Sequence, residues 1–511
     1  MLTRRGILTS AAIGTFATNW SVPGRAKDRK PNLVYILADD HAGYVLGTGG
    51  NQRARTPHLD QLAAEGTRFA HHYCNAPVCT ASRQSFFTSQ LPHASGVSVL
   101  ETPLAEDKPT LAKQLFASGY STAVFGKMHF NTPGRSGLHG FQIAKTEDVV
   151  QKEWLQAVGP APSFEGITTK PVWRPFRDPA RIWLNADQLP YPRDYNQMKG
   201  TWIARQAANY IQEHKDDQFA LWVSFTEPHS PFDFPVEDRH DFHLADFPIP
   251  SVGPEDASQI PLIFRDLTPA DKGGIIASYY SSVCYLDRNI GVVLNKLREL
   301  DLQRDTLVVY MADHGYSLGQ HGRFEKHCCY EPALQVPLIM RWIGKIKPGH
   351  VVRDFTESID VPATITEVLN AERFTVNHGQ SLVSYLKGGR VGSPRTQIFS
   401  EYLENEEACI RTNEWKFVQC SGKRLRTDGY RTDHPTPGRY TRLFKLKDDP
   451  NEFKNVAQHY PEVTEKLSRE LLARFRATHP QSQMEPPNLN SADALDWYLR
   501  PRDAKPHPPS F

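Results

Sequence analysis

Acidic and imidazole side chains follow two short apolar runs of the sequence. Asp39 and Asp40 come after the first run, and Asp313-His314-Gly315 comes after a much later one. Carboxylates are hard oxygen ligands that suit Ca²⁺ or Mg²⁺ better than a soft metal. His314 offers a nitrogen ligand or a hydrogen-bond donor, so Mn²⁺ and Zn²⁺ stay open. The pattern favours one divalent metal site.

Two further apolar runs also end in polar residues. Gly126-Lys127-Met128-His129 follows one of them, and Thr226-Glu227-Pro228-His229 follows the other. A single polar cluster after a strand is usually a turn or a helix cap. In open α/β sheets, however, ligands bind outside the carboxyl ends of the strands. Four such clusters are therefore predicted to converge on one crevice.

One cysteine lies in a setting that favours reactivity. Cys79-Thr80-Ala81-Ser82-Arg83 precedes a helix-like run that starts at Gln84. A cysteine at a helix N-terminus with an arginine one turn later is predicted to have a lowered pKa and an exposed, reactive sulfur. The alternatives are a buried structural cysteine and a thiolate nucleophile.

Short apolar runs alternate with amphipathic stretches along most of the chain. This alternation predicts an α/β fold, with a large, mostly parallel or mixed sheet flanked by helices on both faces. The predicted strands are 32–38, 122–125, 219–225, 306–311 and 336–340, and the predicted helices are 58–65, 111–118, 203–214, 275–300 and 361–369.

The composition changes near residues 387–396. Shorter, alternating runs at 408–411 and 415–418 predict a small antiparallel sheet with one wet face, and residues 462–475 predict a helix. We therefore expect a catalytic domain over 31–390, a C-terminal α+β subdomain over 391–485 and an extended tail over 486–511. Residues 150–200 are expected to be irregular, and so long an insertion is more often functional than idle.

The N-terminus and the composition limit the class of protein. Residues 1–30 fit a signal peptide of the twin-arginine type, which predicts export to the periplasm or the medium. The 511 residues carry 59 basic and 57 acidic side chains, so no broad charge favours nucleic-acid binding. No apolar run reaches the length of about 18 residues that spans a membrane. Seven cysteines, an odd and sparse set, do not form a disulfide framework.

The motif Cys79-x-Ala81-x-Arg83 resembles the formylglycine signature of the sulfatase family, in the alkaline-phosphatase superfamily. The resemblance covers about residues 31–480, in the order of the family's motifs. Two positions depart from the family pattern: Ala81 stands where proline is usual, and Thr88-Ser89 where Thr-Gly is common. The Asp313 region is most like iduronate sulfatases. The other matching segments are 31–40, 56–66, Gly126-Lys127-Met128-His129, Pro228-His229-Ser230-Pro231, Asp313-His314-Gly315 with 318–338, and 446–452.

This resemblance implies a sulfatase whose Cys79 is oxidised to formylglycine by a maturation enzyme, and whose hydrated aldehyde attacks sulfur. It implies that Arg83 and the metal activate the hydroxyl and hold sulfate, and that Lys127 and Lys326 stabilise negative charge. His229 or Lys326 would protonate the leaving alcohol, and His129 would accept a proton from the second hydroxyl. The implied metal is Ca²⁺, with Mg²⁺ or Mn²⁺ possible, and its implied ligands are Asp39, Asp40, Cys79, Asp313 and His314.

Two other functions share these motifs. A phosphonate monoester or phosphodiester hydrolase acts on a similar tetrahedral anion, and a non-catalytic glycan-binding relative would need no aldehyde.

The expected substrate is a sulfated glycan or oligosaccharide, because aromatic rings stack on sugars and guanidinium groups pair with sulfate. The alternative is that the residues concerned form a solvated loop. The sugar, the sulfate position and the oligomeric state stay open. The residues behind this expectation are Lys170, Arg174, Arg177, Arg181, Arg193, Trp173, Phe176, Trp183 and Tyr191.

Overall fold

An eight-stranded mixed sheet forms the centre of the fold in the computed structural model, which describes residues 30–160, 184–422, 430, 432 and 439–503. Residues 1–29 of the predicted signal peptide lie outside the described residues, as do Lys170, Trp173, Arg174, Phe176, Arg177, Arg181 and Trp183. The strands are β1 (Asn32–Ala38), β2 (Thr67–Phe69), β3 (His72–Tyr73), β4 (Ser121–Gly126), β5 (Ile143–Lys145), β6 (Phe219–Ser224), β7 (Thr306–Ala312), β8 (Leu338–Arg341), β9 (His350–Val352), β10 (Thr356–Glu357), β11 (Gln397–Tyr402), β12 (Glu407–Thr412), β13 (Trp415–Cys420) and β14 (Tyr440–Lys445).

The large sheet has the order β5-β4-β6-β1-β7-β8-β2-β9. Strands β5, β4, β6, β1 and β7 run parallel, whereas β8 is antiparallel to both of its neighbours. Central strand β1 pairs through Leu33 with Ala220 on one side and Leu307 on the other. The sheet is therefore mixed, and the predicted α/β fold class is confirmed.

Helices cover both faces of this sheet because its central strands are apolar on both faces. Val34 and Ile36 of β1 pack with residues of α1, α6 and α7, and Leu33 and Tyr35 pack with residues of α2, α4 and α9. The helices are α1 (Pro57–Ala64), α2 (Cys79–Thr88), α3 (Pro92–Ser95), α4 (Leu111–Ala117), α5 (Glu147–Val158), α6 (Lys199–Glu213), α7 (Pro269–Glu299), α8 (Glu331–Leu334), α9 (Asp360–Val368), α10 (Val383–Leu386), α11 (Pro461–Thr478) and α12 (Ser491–Leu499).

The C-terminal region contains the predicted antiparallel sheet, in the order β11-β12-β13-β14. Helix α11 packs on one face of it through Leu471 and Phe475. The expectation that the other face is wet was wrong, because Cys409, Val418 and Phe444 on that face are buried in the main core. The boundary near residue 390 stays a prediction, since the chain from Pro31 onward forms one compact unit that holds both sheets.

Two expectations about irregular segments need correction. Within 150–200, residues 150–158 belong to α5 and residues 199–200 to α6, whereas the described residues 184–198 contain one short 3-10 helix, Tyr195–Gln197. The tail beyond residue 486 is not extended throughout, because α12 begins after Asn490, whose side chain accepts a hydrogen bond from Asp493 N at 2.9 Å. Apolar residues at 494, 495, 498 and 499 form one stripe of α12 that packs beside α11, and this packing outweighs the polar composition.

Within the described residues, no helix has the length and apolar character needed to cross a membrane. All seven cysteines lie in the described part of the chain, and none of them forms a disulfide there.

Candidate active site

The polar residues that follow β1, β4, β6 and β7 lie together at one edge of the sheet, because these strands are parallel neighbours. Asp40 N donates to Asp313 Oδ1 at 3.2 Å, across 273 residues of sequence. Lys127 forms an ion pair with Asp39. The structure confirms the prediction that these clusters converge.

Cys79 lies at the centre of this edge, as the first residue of α2. Its Sγ is 3.0 Å from Lys326 Nζ and 3.2 Å from His314 Nε2. It is also 3.4 Å from Asp39 Oδ1 and 3.8 Å from Lys127 Nζ. The sulfur therefore touches both the predicted metal ligands and the predicted lysines.

The environment of Cys79 confirms one expectation and corrects another. Burial alone would raise the pKa of the thiol, but the positive charges of Lys127, Lys326 and His314 outweigh burial and hold the pKa of Cys79 well below its usual range. The sulfur is not exposed as expected, since Cys79 is only 2 % accessible. All ten residues of α2 are buried, because the helix packs its Phe86 and Phe87 against the sheet.

Arg83 lies one helical turn after Cys79 and is fully buried. Its Nε donates to Asp313 Oδ2 at 2.7 Å, and its Nη2 donates to Asp39 Oδ2 at 3.2 Å. Its Nη1 donates to the Lys127 carbonyl and to Ser224 Oγ. These four hydrogen bonds show that Arg83 orders the carboxylates here, and its expected contact with sulfate oxygens stays a prediction.

Lys326 and His229 occupy different depths of the site. Lys326 is 3 % exposed, and its Nζ lies 2.7 Å from Asp40 Oδ1. Lys326 therefore lies at the centre of the site and not at its rim. The His229 side chain is 26 % exposed, and its Nε2 lies 4.0 Å from Asp40 Oδ2. His229 is thus placed between the buried site and solvent.

His129 lies near the same sulfur. Its side chain helps to lower the pKa of the Cys79 thiol. The backbone N–H of His129 donates to Glu147 Oε1 at 2.7 Å, which fixes the turn after β4. The residue has a positive φ of 56°, a conformation that needs such support.

The donor set fits a divalent cation. Ligand atoms of Asp39, Cys79, Asp313 and His314 lie within 4.8 Å of one another, and Asp40 and His229 join a second, overlapping group. Asp40 Oδ2 is buried without a hydrogen-bond partner among the described residues. An unpaired buried carboxylate oxygen is costly, and a cation bound among three carboxylates would satisfy it.

Sequence reasoning missed two residues that support the site. Ser224 ends β6 and binds Arg83, and Glu147 begins α5 and binds His129. Ser224 follows the same rule that selected the other strand ends, so its position was a usable signal. Glu147 carries no such signal, because only the tertiary fold brings it to residue 129.

Two residues of the predicted glycan-binding segment lie among the described residues. Arg193 is 1 % exposed; its Nη2 donates to the Gly159 carbonyl, and its guanidinium lies over the Trp154 ring. Tyr191 donates its backbone N–H to the Phe234 carbonyl and packs near Trp154. Arg193 is therefore buried in contacts within the protein, and its expected pairing with sulfate stays a prediction.

Family models match most of the chain. The Sulfatase model matches residues 31–371, and the model "N-sulphoglucosamine sulphohydrolase, C-terminal" matches residues 319–477. A choline-sulfatase of Rhizobium meliloti (strain 1021) is 26 % identical over 92 % of this chain and 91 % of its own length. Arylsulfatase K of Homo sapiens is 24 % identical over 96 % and 90 %. An ulvan-active sulfatase of Formosa agariphila is 26 % identical over 68 % and 63 %.

Solved structures share the fold. A phosphonate monoester hydrolase of Agrobacterium radiobacter superposes with a TM-score of 0.74 at 23 % identity, over 89 % of this chain and 97 % of that one. BT4656, in complex with its substrate D-glucosamine-2-N,6-O-disulfate, superposes with a TM-score of 0.68 at 19 % identity, over 88 % and 98 %.

Proposed function

The chain belongs to the sulfatase family and is a sulfuric ester hydrolase, and from that premise we propose that it removes sulfate from a carbohydrate with an oxidised Cys79 as nucleophile. One observation carries this proposal: Cys79 Sγ lies 3.0 Å from Lys326 Nζ and 3.4 Å from Asp39 Oδ1, in a buried cluster of opposite charges. A structural cysteine would need none of these charged neighbours.

In the proposed reaction, residue 79 is a hydrated formylglycine with two hydroxyl groups. One hydroxyl attacks sulfur, the bond between sulfur and the ester oxygen breaks, and sulfate is transferred to residue 79. The second hydroxyl then loses its proton, the carbon–oxygen bond to sulfate breaks and the aldehyde forms again. Water adds to the aldehyde and restores the nucleophile.

The buried side chains supply charge and proton transfer for these steps. Lys127 and Lys326 place positive charge where the transition state is anionic. His229, the more exposed of the two candidates, or Lys326 protonates the departing alcohol oxygen. His129, whose side chain lies near residue 79, accepts the proton of the second hydroxyl.

Asp39, Asp40, Asp313, His314 and residue 79 would hold one divalent cation, with Ca²⁺ favoured by the carboxylate oxygens and Mg²⁺ or Mn²⁺ as alternatives. When bound, the cation neutralises negative charge on the sulfate and on the nucleophile. Arg83 keeps Asp39 and Asp313 oriented for it through the contacts described above.

Removing the cation is expected to lower both activity and stability. Asp39, Asp40 and Asp313 are buried side by side, so their mutual repulsion is relieved by a bound cation, and chelation should lower the melting temperature. Turnover of an aryl sulfate and thermal unfolding are measured before and after chelation, and again after Ca²⁺, Mg²⁺ or Mn²⁺ is restored. Full activity in metal-free protein, verified by elemental analysis, would contradict the assignment.

A sulfated glycan or oligosaccharide is the substrate class we propose. Its support is the sulfated glucosamine bound by BT4656 and the name of the ulvan-active relative. A formylglycine-generating or an anaerobic maturation enzyme is the required partner, and export through the N-terminal segment would bring the sulfatase to extracellular polysaccharide.

The test of this function compares matched esters. The purified enzyme is assayed with aryl sulfate and aryl phosphonate monoesters of the same leaving group, then with defined sulfated oligosaccharides. We expect faster turnover of the sulfate and release of sulfate from at least one oligosaccharide. Preference for the phosphonate would support the phosphonate hydrolase alternative, and glycan binding without turnover would support the non-catalytic one.

A further inference from the structure

One carboxylate near the C-terminus binds four groups of a loop beside the nucleophile. Asp503 Oδ2 accepts from Ser98 N at 2.7 Å, Val99 N at 3.3 Å and Thr102 Oγ1 at 2.6 Å. Asp503 Oδ1 accepts from Ser98 Oγ. Charge-assisted hydrogen bonds are stronger than neutral ones, so this carboxylate fixes the loop of residues 98–102.

The same loop binds one residue in the first turn of α2, which carries Cys79, and one residue in the turn after β4, which carries His129. The Leu100 carbonyl accepts from Thr80 Oγ1 at 2.7 Å and from Asn131 Nδ2 at 2.9 Å. Asn131 Nδ2 also donates to the Thr102 carbonyl at 3.1 Å. Thr80 directly follows Cys79, and Asn131 lies two residues after His129. The loop therefore connects the nucleophile, the proposed proton acceptor and the C-terminal segment.

The first turn of α2 and the turn after β4 are both held by contacts with other parts of the chain. Helix α2 begins after Val78, whose side chain makes no capping hydrogen bond, so the Thr80 contact is a side-chain restraint on its first turn. His129 and Asn131 have positive φ values of 56° and 55°, which non-glycine residues keep only when the surroundings hold them.

The segment that delivers Asp503 is itself anchored. Helix α12 packs Leu495 and Tyr498 into an apolar cluster with α11. Beyond the helix, the Arg502 guanidinium lies over the Trp497 ring at 4.4 Å and donates to the Trp497 carbonyl at 2.8 Å. These contacts hold in place the segment that carries the Asp503 carboxylate.

We propose that Asp503 is a positioning residue for the sulfatase reaction. Its carboxylate holds residues 98–102 so that the Leu100 carbonyl orients Thr80 and Asn131, and through them residue 79 and His129. This inference rests on the proposed function only for its readout, which is the turnover of a sulfate ester.

The first test compares two aspartates of the C-terminal segment. Asp503→Ala is expected to lower kcat on an aryl sulfate about tenfold, because small displacements of reacting groups are costly, with little change in KM. Asp493→Ala is the matched control, since this carboxylate of the same segment binds Arg439 and Asn490. Rates are expressed per formylglycine, measured by mass spectrometry, at a temperature where thermal unfolding shows each variant folded.

A double-mutant cycle separates positioning from general destabilisation. If Asp503 acts through the Leu100 carbonyl, the effects of Asp503→Ala and Thr80→Val on kcat are non-additive, whereas those of Asp493→Ala and Thr80→Val are additive. An unchanged kcat in folded Asp503→Ala, or independent effects with Thr80→Val, would overturn the proposal.

A second variant keeps the test decisive if Asp503→Ala does not fold. Ser98→Ala with Thr102→Val removes two hydroxyl donors to Asp503 and leaves the C-terminal segment unchanged. We expect kcat to fall about threefold, and an unchanged kcat would overturn the proposal. A wild-type enzyme that cleaves no sulfate ester would instead refute the proposed function.

Discussion

Replacing Cys79 by alanine is expected to abolish sulfate ester hydrolysis and to leave the fold intact. The side chain supplies the proposed nucleophile, and among the described residues that contact it the lysines, histidine and carboxylate cannot form a hydrated aldehyde. The loss of kcat should be at least about 10⁴-fold, since removing a nucleophile costs as much as removing a whole catalytic unit. Turnover of an aryl sulfate and thermal unfolding are the measurements.

Cys79→Ser is the informative partner of this variant. A serine hydroxyl can attack sulfur, but it has no second hydroxyl, so the sulfate cannot be eliminated from it. We expect a covalent sulfate adduct on residue 79 by mass spectrometry and no sustained turnover. More than trace activity of purified Cys79→Ala would contradict the proposed mechanism.

Replacing Lys326 by alanine is expected to lower kcat by about 10²-fold or more, in the range of one oxyanion-stabilising contact. Lys326 is buried between Asp40 and Cys79, so its ammonium lies where the reacting sulfate must carry negative charge. It can also donate a hydrogen bond to the ester oxygen as the bond to sulfur breaks. Lys447→Ala, which changes an exposed lysine, is the control.

A series of phenyl sulfates distinguishes the two roles of Lys326. If the lysine assists the leaving group, the loss of kcat shrinks for acidic phenols, because they depart with less help. An equal loss across the series would assign Lys326 to sulfate binding alone. A rate that is unchanged in folded Lys326→Ala would remove the residue from the reaction.

The sequence predicted the sheet and the convergence of the site for one physical reason. Buried parallel strands appear as continuous apolar runs, so polar residues such as Asp39 and Asp313 are conspicuous where each run ends. Neighbouring parallel strands then bring these ends together, although they are hundreds of residues apart. The predicted helices fall near their observed positions for a similar reason, since their apolar stripes follow the helical period.

The features that the sequence did not predict are the ones that depend on tertiary contacts. The depth of Lys326 and the partners of Arg83 are decided by how α2 packs against the sheet, and no local pattern encodes this. The tail was expected to be extended because it is rich in proline and polar residues, yet the apolar stripe of α12 is buried beside α11. Asp503 is an ordinary aspartate in the sequence, and only the fold places it on the loop of residues 98–102.

The central claim is that residue 79 acts as formylglycine, and peptide mass spectrometry tests it most directly. Enzyme preparations with different degrees of maturation are digested, and the fraction of aldehyde at residue 79 is compared with turnover of a sulfate ester. The account predicts that specific activity rises in proportion to the aldehyde fraction and vanishes where the thiol is intact. Full activity in protein whose Cys79 is entirely unmodified would contradict it.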